Sequence, residues 1–157
     1  MSCFRKSADA ELQLFLRYGV HTSYRKQKAL CYQSEPAQSV FFLISGKATR
    51  LKYRSDESCV VLGNATAGDW IGMAEILIVC PYLNDAITDT KTEAIVFSAR
   101  AFNEVMKIKG IRDVVLEYLA KSVYLLHSQI EVNVPLPKLI LYITTHARTW
   151  EGHALPH

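Results

Sequence analysis

The sequence predicts a mainly β domain with flanking helices, and three observations support this prediction. Between Tyr24 and Ser98, short apolar or alternating runs recur between turn residues, which is the pattern of an all-β sandwich or roll. On both sides of this stretch, apolar residues recur at spacings of three and four, as in amphipathic helices. Half of the 157 residues are apolar and 21% are charged, so the chain can bury the core of one domain.

The first predicted element is a helix over residues 8–18 that Gly19 ends, with an apolar face formed by Ala8, Leu12, Phe15 and Leu16. Seven or eight short strands follow, at Ala29–Tyr32, Val40–Ile44, Ala48–Tyr53, Cys59–Leu62, Trp70–Ile71, Ala86–Ile87 and Ala94–Phe97. The second of these runs is continuously apolar, which predicts a strand in the middle of the core. Turns are predicted between strands, at Ser45-Gly46, Gly63-Asn64 and Ala67-Gly68-Asp69.

Helical periodicity returns after Ser98. It predicts a short helix over residues 99–107 and a long helix from about Ile111 to Val132, which Pro135 stops. The long helix carries an apolar stripe with the spacing of a coiled-coil seam, formed by Leu116, Leu119, Val123, Leu126 and Ile130. We therefore expect a homodimer through this helix, since apolar residues outside the stripe are available to cover the roll.

Composition and motifs exclude several classes of function. A net charge of +3 is not typical of a strong nucleic-acid binder. The four cysteines lack the close spacing of metal ligands, and we predict no metal or other cofactor. The sequence has no nucleophile elbow, phosphate loop or zinc-protease motif, and no histidine between Tyr24 and Ser98 for cupin-type metal chemistry, so we expect no enzyme. The longest apolar run, Ile76–Cys80, is too short to cross a membrane, and a cytoplasmic protein is expected.

Three stretches together resemble the effector domain of the Crp/Fnr family of bacterial transcription regulators. They are Gln33–Ala37 with the following Val40–Gly46, then Ala67–Gly72, and then Phe97–Phe102, where a last strand passes into a helix. The resemblance implies a jelly roll (double-stranded β-helix) of the cyclic-nucleotide-binding-domain type, with a long C-terminal dimerisation helix. It divides the chain into a roll with its N-terminal helix (1–108), a dimerisation helix (109–134) and a hinge leading toward a further region (135–157).

The family's phosphate-binding cassette departs from its usual pattern in this chain. Nucleotide-binding members have Glu after the glycine that corresponds to Gly72, where this sequence has Met73. They also have Arg, then Ser or Thr, then Ala, where this sequence has Asn84, Asp85 and Ala86. We therefore expect a degenerate ligand pocket around Gly72, Met73, Ala74, Asn84, Asp85 and Ala86, without useful binding of cyclic AMP or cyclic GMP.

Magnitudes support that expectation. Losing the arginine removes at least one charge-assisted hydrogen bond of about 1.5–3 kcal/mol. A carboxylate at position 85, about 5 Å from a phosphate, adds roughly 3 kcal/mol of repulsion at an effective dielectric of 20. Together these losses lower affinity by roughly three to four orders of magnitude.

Other readings of the sequence stay open. The domain could be a constitutive dimeric scaffold without ligand, or a cyclic-nucleotide receptor that uses a cation from outside the cassette, such as Lys52, Arg54 or Lys91. Met73 and Ile76–Ile78 either fill the interior of the roll or line an apolar pocket. Cys80 is either inert or an oxidant sensor, and His127 either packs or ligates haem. In the family a winged helix-turn-helix follows; too few residues remain after Trp150 for one here, so we expect DNA contact only through a C-terminal domain outside this chain.

Overall fold

The structure, a computed structural model, describes residues 12–129. These residues contain two four-stranded sheets with antiparallel pairing, in the strand orders β1-β8-β3-β6 and β2-β7-β4-β5. The strands are β1 (Val20–Tyr24), β2 (Ala29–Cys31), β3 (Ser39–Ser45), β4 (Lys47–Tyr53), β5 (Cys59–Thr66), β6 (Trp70–Ile71), β7 (Asp85–Thr88) and β8 (Thr92–Ser98). The predicted mainly β jelly roll with flanking helices is confirmed.

Four helices accompany the sheets within the described range. They are α1 (residues 12–18), α2 (Met73–Ile78), α3 (Ala99–Val105) and α4 (Lys109–Gln129). The predicted helix before Gly19 is present as α1, while Ala8 lies outside the described residues. The predicted long helix is present as α4, and the chain divides into two compact units between Val115 and Leu116, within that helix. No helix in residues 12–129 is long and apolar enough to span a membrane.

Strand β3 lies at the centre of the first unit because it is apolar on both faces. One face carries Phe41 and Leu43, which belong to the core cluster together with Ala48, Ala65, Ala86 and Cys31 of the second sheet. The other face carries Phe42, whose ring lies 5.0 Å from that of Phe15 on α1. The prediction that Val40–Ile44 forms a central strand is therefore correct.

An aromatic cluster joins α1 and α3 to the first sheet. Phe15 contacts the rings of Trp70 at 5.3 Å and Phe97 at 6.0 Å, edge to face in both cases. Phe102 of α3 adds edge contacts to the same two rings, at 5.8 and 6.1 Å. Edge-to-face pairs add stabilisation beyond the burial of their area, so this cluster fixes both short helices on the sheet.

Three features of the fold differ from the sequence prediction. The predicted turn at Gly63-Asn64 is wrong, because β5 continues through it with a register shift opposite Arg50. Strand β1 was not predicted; it pairs with β8 from Val20 to Tyr24, although its side chains are mostly exposed. Helix α2 was not predicted either, because six residues are too few for a helical period to stand out from a buried strand.

Replacing Phe15 with Ala will lower the free energy of unfolding by about 3–5 kcal/mol, because a buried aromatic ring leaves a cavity. Phe15 is 2% exposed, whereas its neighbour Leu16 is 37% exposed. Leu16→Ala is therefore the matched control, with an expected loss under about 1.5 kcal/mol. Urea unfolding followed by tryptophan fluorescence measures both, and equal losses would contradict the role given to the aromatic cluster.

Candidate ligand site in the roll

The candidate site is the segment that runs from β6 through α2 to β7. Gly72 caps the N-terminus of α2 with φ 78°, a left-handed conformation that favours glycine. A Cβ there would lie 2.6 Å from the Ser39 carbonyl oxygen and 2.9 Å from the Tyr82 ring. The fold alone therefore requires glycine at this position, and Gly72 by itself is no evidence of a bound phosphate.

Helix α2 has one buried and one exposed face. Met73, Glu75 and Ile76 are buried, whereas Leu77, Ile78 and Val79 are exposed. The interpretation that Met73 and Ile76–Ile78 fill the interior is thus correct for Met73 and Ile76 and wrong for Leu77 and Ile78. Met73, at the position of the family's ribose-binding Glu, presents a buried thioether, which is only a weak hydrogen-bond acceptor.

Tyr82 attaches the loop after α2 to strand β3. Its hydroxyl donates to the Ser39 carbonyl at 2.8 Å and accepts from the backbone N–H of Ser39 at 3.0 Å and of Gln38 at 3.3 Å. Burial raises the pKa of Tyr82, and the two backbone hydrogen bonds partly oppose that rise. The sequence analysis missed this residue, because a tyrosine between Pro81 and Leu83 carries no local sign of partners 43 residues away.

The carboxylates of the segment are buried and accept backbone hydrogen bonds. Asp85 Oδ1 accepts from the Gln33 N–H at 2.6 Å, and Glu75 Oε1 accepts from the Leu83 N–H at 3.4 Å. Burial raises the pKa of Cys31 to about 12, and the charges of Glu75, Asp85 and Glu35 add to that rise. The region around Cys31 is therefore electronegative and disfavours an anion.

The six predicted pocket residues occupy this segment in different environments. Gly72, Met73, Asp85 and Ala86 are buried, and Ala74 is exposed. Asn84 is half-buried, and its backbone carbonyl oxygen accepts a hydrogen bond from the Cys31 thiol at 3.7 Å. A cavity of about 470 Å³ is lined in part by Cys31, Glu35, Phe41 and Tyr82, and by none of these six residues. The cations suggested from outside the cassette, Lys52, Arg54 and Lys91, are all exposed.

Apolar side chains on α4 beyond Val115 are largely exposed. Within the predicted stripe, Leu116, Val123 and Leu126 are 55%, 51% and 62% exposed, and Leu119 is half-buried. Ile130 lies outside the described residues. His127, considered above as a haem ligand, is exposed, and residues 12–129 contain no group of three or more His, Cys, Asp or Glu side chains placed to hold a metal ion.

A jelly roll with a short glycine-capped helix between two of its strands, here α2 between β6 and β7, is the arrangement of the cyclic-nucleotide-binding class of fold. The profile of the family described as cyclic nucleotide-binding domain matches residues 21–109, more than half of the chain. The chain therefore belongs to the cyclic nucleotide-binding domain family. No curated protein sequence matches the chain significantly.

Solved structures of regulatory proteins share this fold. The catabolite activator protein of Thermus thermophilus has a TM-score of 0.65 at 18% identity, over 87% of this chain and 59% of that chain. The regulatory subunit of a cAMP-independent protein kinase A from Trypanosoma brucei has 0.60 at 15%, over 71% and 39%. The sensor domain of the transcriptional regulator DNR from Pseudomonas aeruginosa has 0.58 at 22%, over 80% and 85%.

These similarities show the fold, and the predicted resemblance to Crp/Fnr effector domains is confirmed at that level. The chain spans about three fifths of the length of the catabolite activator protein that it matches. It matches most of the isolated DNR sensor domain. The shared fold does not establish what these whole proteins bind or regulate.

The free energy of unfolding will fall with rising pH once Cys31 ionises in the unfolded chain. Its pKa rises from 9.0 to about 12 on folding, so the unfolded chain releases the proton first and the native state loses relative stability above pH 9. The slope approaches about 1.4 kcal/mol per pH unit. Urea unfolding between pH 8 and 9.5 measures the slope, because the ordinary tyrosine pKa of 10.0 lies above this range.

Cys31→Ala will flatten that slope, whereas Cys59→Ala, at an exposed thiol, will leave it unchanged. The slope separates the effect of ionisation from any constant loss of packing in the Cys31 variant. An unchanged slope in Cys31→Ala would show that the Cys31 thiol ionises equally in both states.

Proposed function

We propose that this chain is the sensory and dimerisation part of a Crp/Fnr-like transcription regulator whose cassette does not bind cyclic AMP or cyclic GMP. The observation that carries the proposal is the chemistry at positions 84 and 85. Asn84 supplies no charge, and the Asp85 carboxylate is buried with its Oδ1 on the Gln33 N–H. A phosphate placed there would lack the arginine that nucleotide-binding relatives have at the position of Asn84, and it would meet an anion at the position of their Ser or Thr.

The neighbouring contacts support the same proposal. Between Gly63 and Thr90 the sequence contains no Lys or Arg, and the buried Glu75 adds a second carboxylate. Met73 gives a ribose hydroxyl only a weak acceptor. The Trypanosoma brucei protein is the regulatory subunit of a cAMP-independent protein kinase A, so a roll of this type also occurs in a protein that does not depend on cyclic AMP.

Dimerisation through α4 is the second part of the proposal. Leu116, Val123 and Leu126 are more than half exposed, and each large apolar side chain buried at an interface contributes about 1.5–3 kcal/mol before association costs. A twofold helix pair would bury the stripe on both copies at once. In this scheme residues 1–108 sense, 109–134 dimerise and 135–157 lead to a DNA-binding region that reads half-sites one helical turn apart.

Isothermal titration of the purified protein with cyclic AMP will give no saturable heat up to millimolar ligand. Restoring the family's residues with Asn84→Arg and Asp85→Ser will produce binding, because the arginine supplies the missing charge and Ser remains an acceptor for Gln33. Leu83→Arg with Asp85→Ser is the control that adds the same charge at an exposed neighbouring position. Micromolar binding by the unaltered protein would contradict the proposed degenerate cassette.

Sedimentation velocity will find a dimer that Val123→Glu with Leu126→Glu converts to monomer. Two carboxylates within an apolar seam would be desolvated without partners, which costs several kcal/mol. Lys121→Glu with Ser128→Glu places charges at exposed positions off the stripe, and this control should remain dimeric. A dimer that survives the first pair of substitutions would place the interface elsewhere.

A further inference from the structure

A cavity of about 320 Å³ is lined by residues of α2 and the turn after it, of α3, and of the segment before β3. It includes none of the six cassette residues described above, and it is therefore separate from the positions that replace the nucleotide-binding residues. Its apolar lining includes Pro36, Ala37, Ile76, Val79, Pro81 and Ala99.

Glu75 is the acidic residue among those that line this cavity, and none of the lining residues is Lys or Arg. It is 8% exposed, and the hydrogen bond that its carboxylate accepts from the Leu83 N–H is long, at 3.4 Å. None of the ion pairs found within residues 12–129 includes Glu75. Because a carboxylate removed from water without a cation destabilises the folded state, a cation brought by a ligand would be bound favourably.

The charges around the cavity also favour a cation. Burial is the main cause of the raised pKa of Cys31, and the charge of Glu75 is the largest of three carboxylate contributions, ahead of Asp85 and Glu35. The sequence from Gly63 to Thr90 contains no Lys or Arg, so α2 and the loop to β7 carry only negative charge. The electrostatic field of this segment therefore attracts a small cation.

The cavity has a buried floor and an open rim. Glu75 and Ile76 are buried, whereas Val79, Pro81 and Asn103 are exposed. A ligand can therefore enter from solvent and bring a charged group to Glu75 while its hydrocarbon part covers apolar side chains. Removal of that apolar surface from water favours binding in addition to the charge.

We propose that this cavity binds a small organic cation, with its ammonium group on the Glu75 carboxylate and its hydrocarbon part against Ile76 and Ala99. An alcohol of the same shape lacks the charge, and a carboxylate of the same shape is repelled. The ligand would touch α2 and α3 at once, and α3 precedes α4 in the chain. The proposal names the effector class for the sensory function proposed above and rests on that function.

Isothermal titration at pH 7 with hexylammonium chloride tests the class of ligand, with 1-hexanol and sodium hexanoate as matched probes. Hexylammonium will bind saturably, and the alcohol and the carboxylate will bind more weakly by roughly tenfold or more, because neither forms a charge-assisted hydrogen bond with Glu75. Equal binding of 1-hexanol would show an apolar cavity without an ammonium site and would overturn the proposal.

Glu75→Gln and Glu35→Gln test the residue. Glutamine keeps a side-chain acceptor for the Leu83 N–H and removes the charge, so Glu75→Gln will weaken hexylammonium binding by roughly tenfold or more. Glu35 is an exposed carboxylate that lines the larger cavity, and Glu35→Gln removes the same charge without altering the proposed site. Weakened binding in Glu35→Gln together with unchanged binding in Glu75→Gln would place the ligand in the larger cavity and overturn the assignment.

Alkylation of cysteines in the unaltered protein gives a readout that needs no variant. Cys80 is half-buried and lines the same cavity, whereas Cys59 is exposed on β5. Saturating hexylammonium will slow the reaction of Cys80 with iodoacetamide and leave that of Cys59 unchanged, as measured by mass spectrometry of peptides. An unchanged rate at Cys80 would overturn the proposed site.

Failure of this proposal is distinguishable from failure of the proposed function. Absence of saturable hexylammonium binding would overturn the cation site and leave the cyclic AMP result as it stands. Saturable binding of cyclic AMP by the unaltered protein would contradict the proposed function, whatever the hexylammonium titration gives.

Discussion

Burial of β3 on both faces is the constraint on which the rest of the roll depends. Phe41 and Leu43 hold the second sheet on one side, while Phe42 meets Phe15 of α1 on the other. The same strand supplies the Ser39 backbone groups that hold Tyr82. The cassette is therefore attached directly to a central strand of the core, so the packing of the core is sufficient to position it.

In nucleotide-binding proteins a glycine-capped helix has two roles: it packs against the roll and it approaches the phosphate. The attachment to β3 involves only the first of these roles. At Gly72 the close approach of the Ser39 carbonyl accounts for the missing side chain without any phosphate. Met73 and Ile76 are buried apolar residues, where a nucleotide receptor would have polar groups. The packing of this segment can therefore be explained without reference to a ligand, and the fold alone does not assign one.

The sequence was informative wherever the determining signal was local. The continuous apolar run of β3 and the pair Trp70-Ile71 were predictable because neighbouring residues carried the pattern. The turn predicted at Gly63 is wrong because glycine is common both in turns and in β-bulges. Only the pairing of Gly63 with Arg50 distinguishes a bulge from a turn here. Tyr82 was not predicted because its hydrogen-bond partners lie on β3, which is distant in sequence.

The C-terminus of α2 is one of four places in the described residues where a residue other than glycine has a positive φ, with Gln27, Ser34 and Glu57 at the others. Val79 adopts the left-handed conformation at φ 56° and ψ 55°, although it is β-branched and 90% exposed. Such a conformation costs of order 1–2 kcal/mol, and few contacts on the exposed face of α2 offset it. Among these positions Val79 is the β-branched one, so the end of α2 adds a local conformational strain that the packing of the two sheets does not relieve.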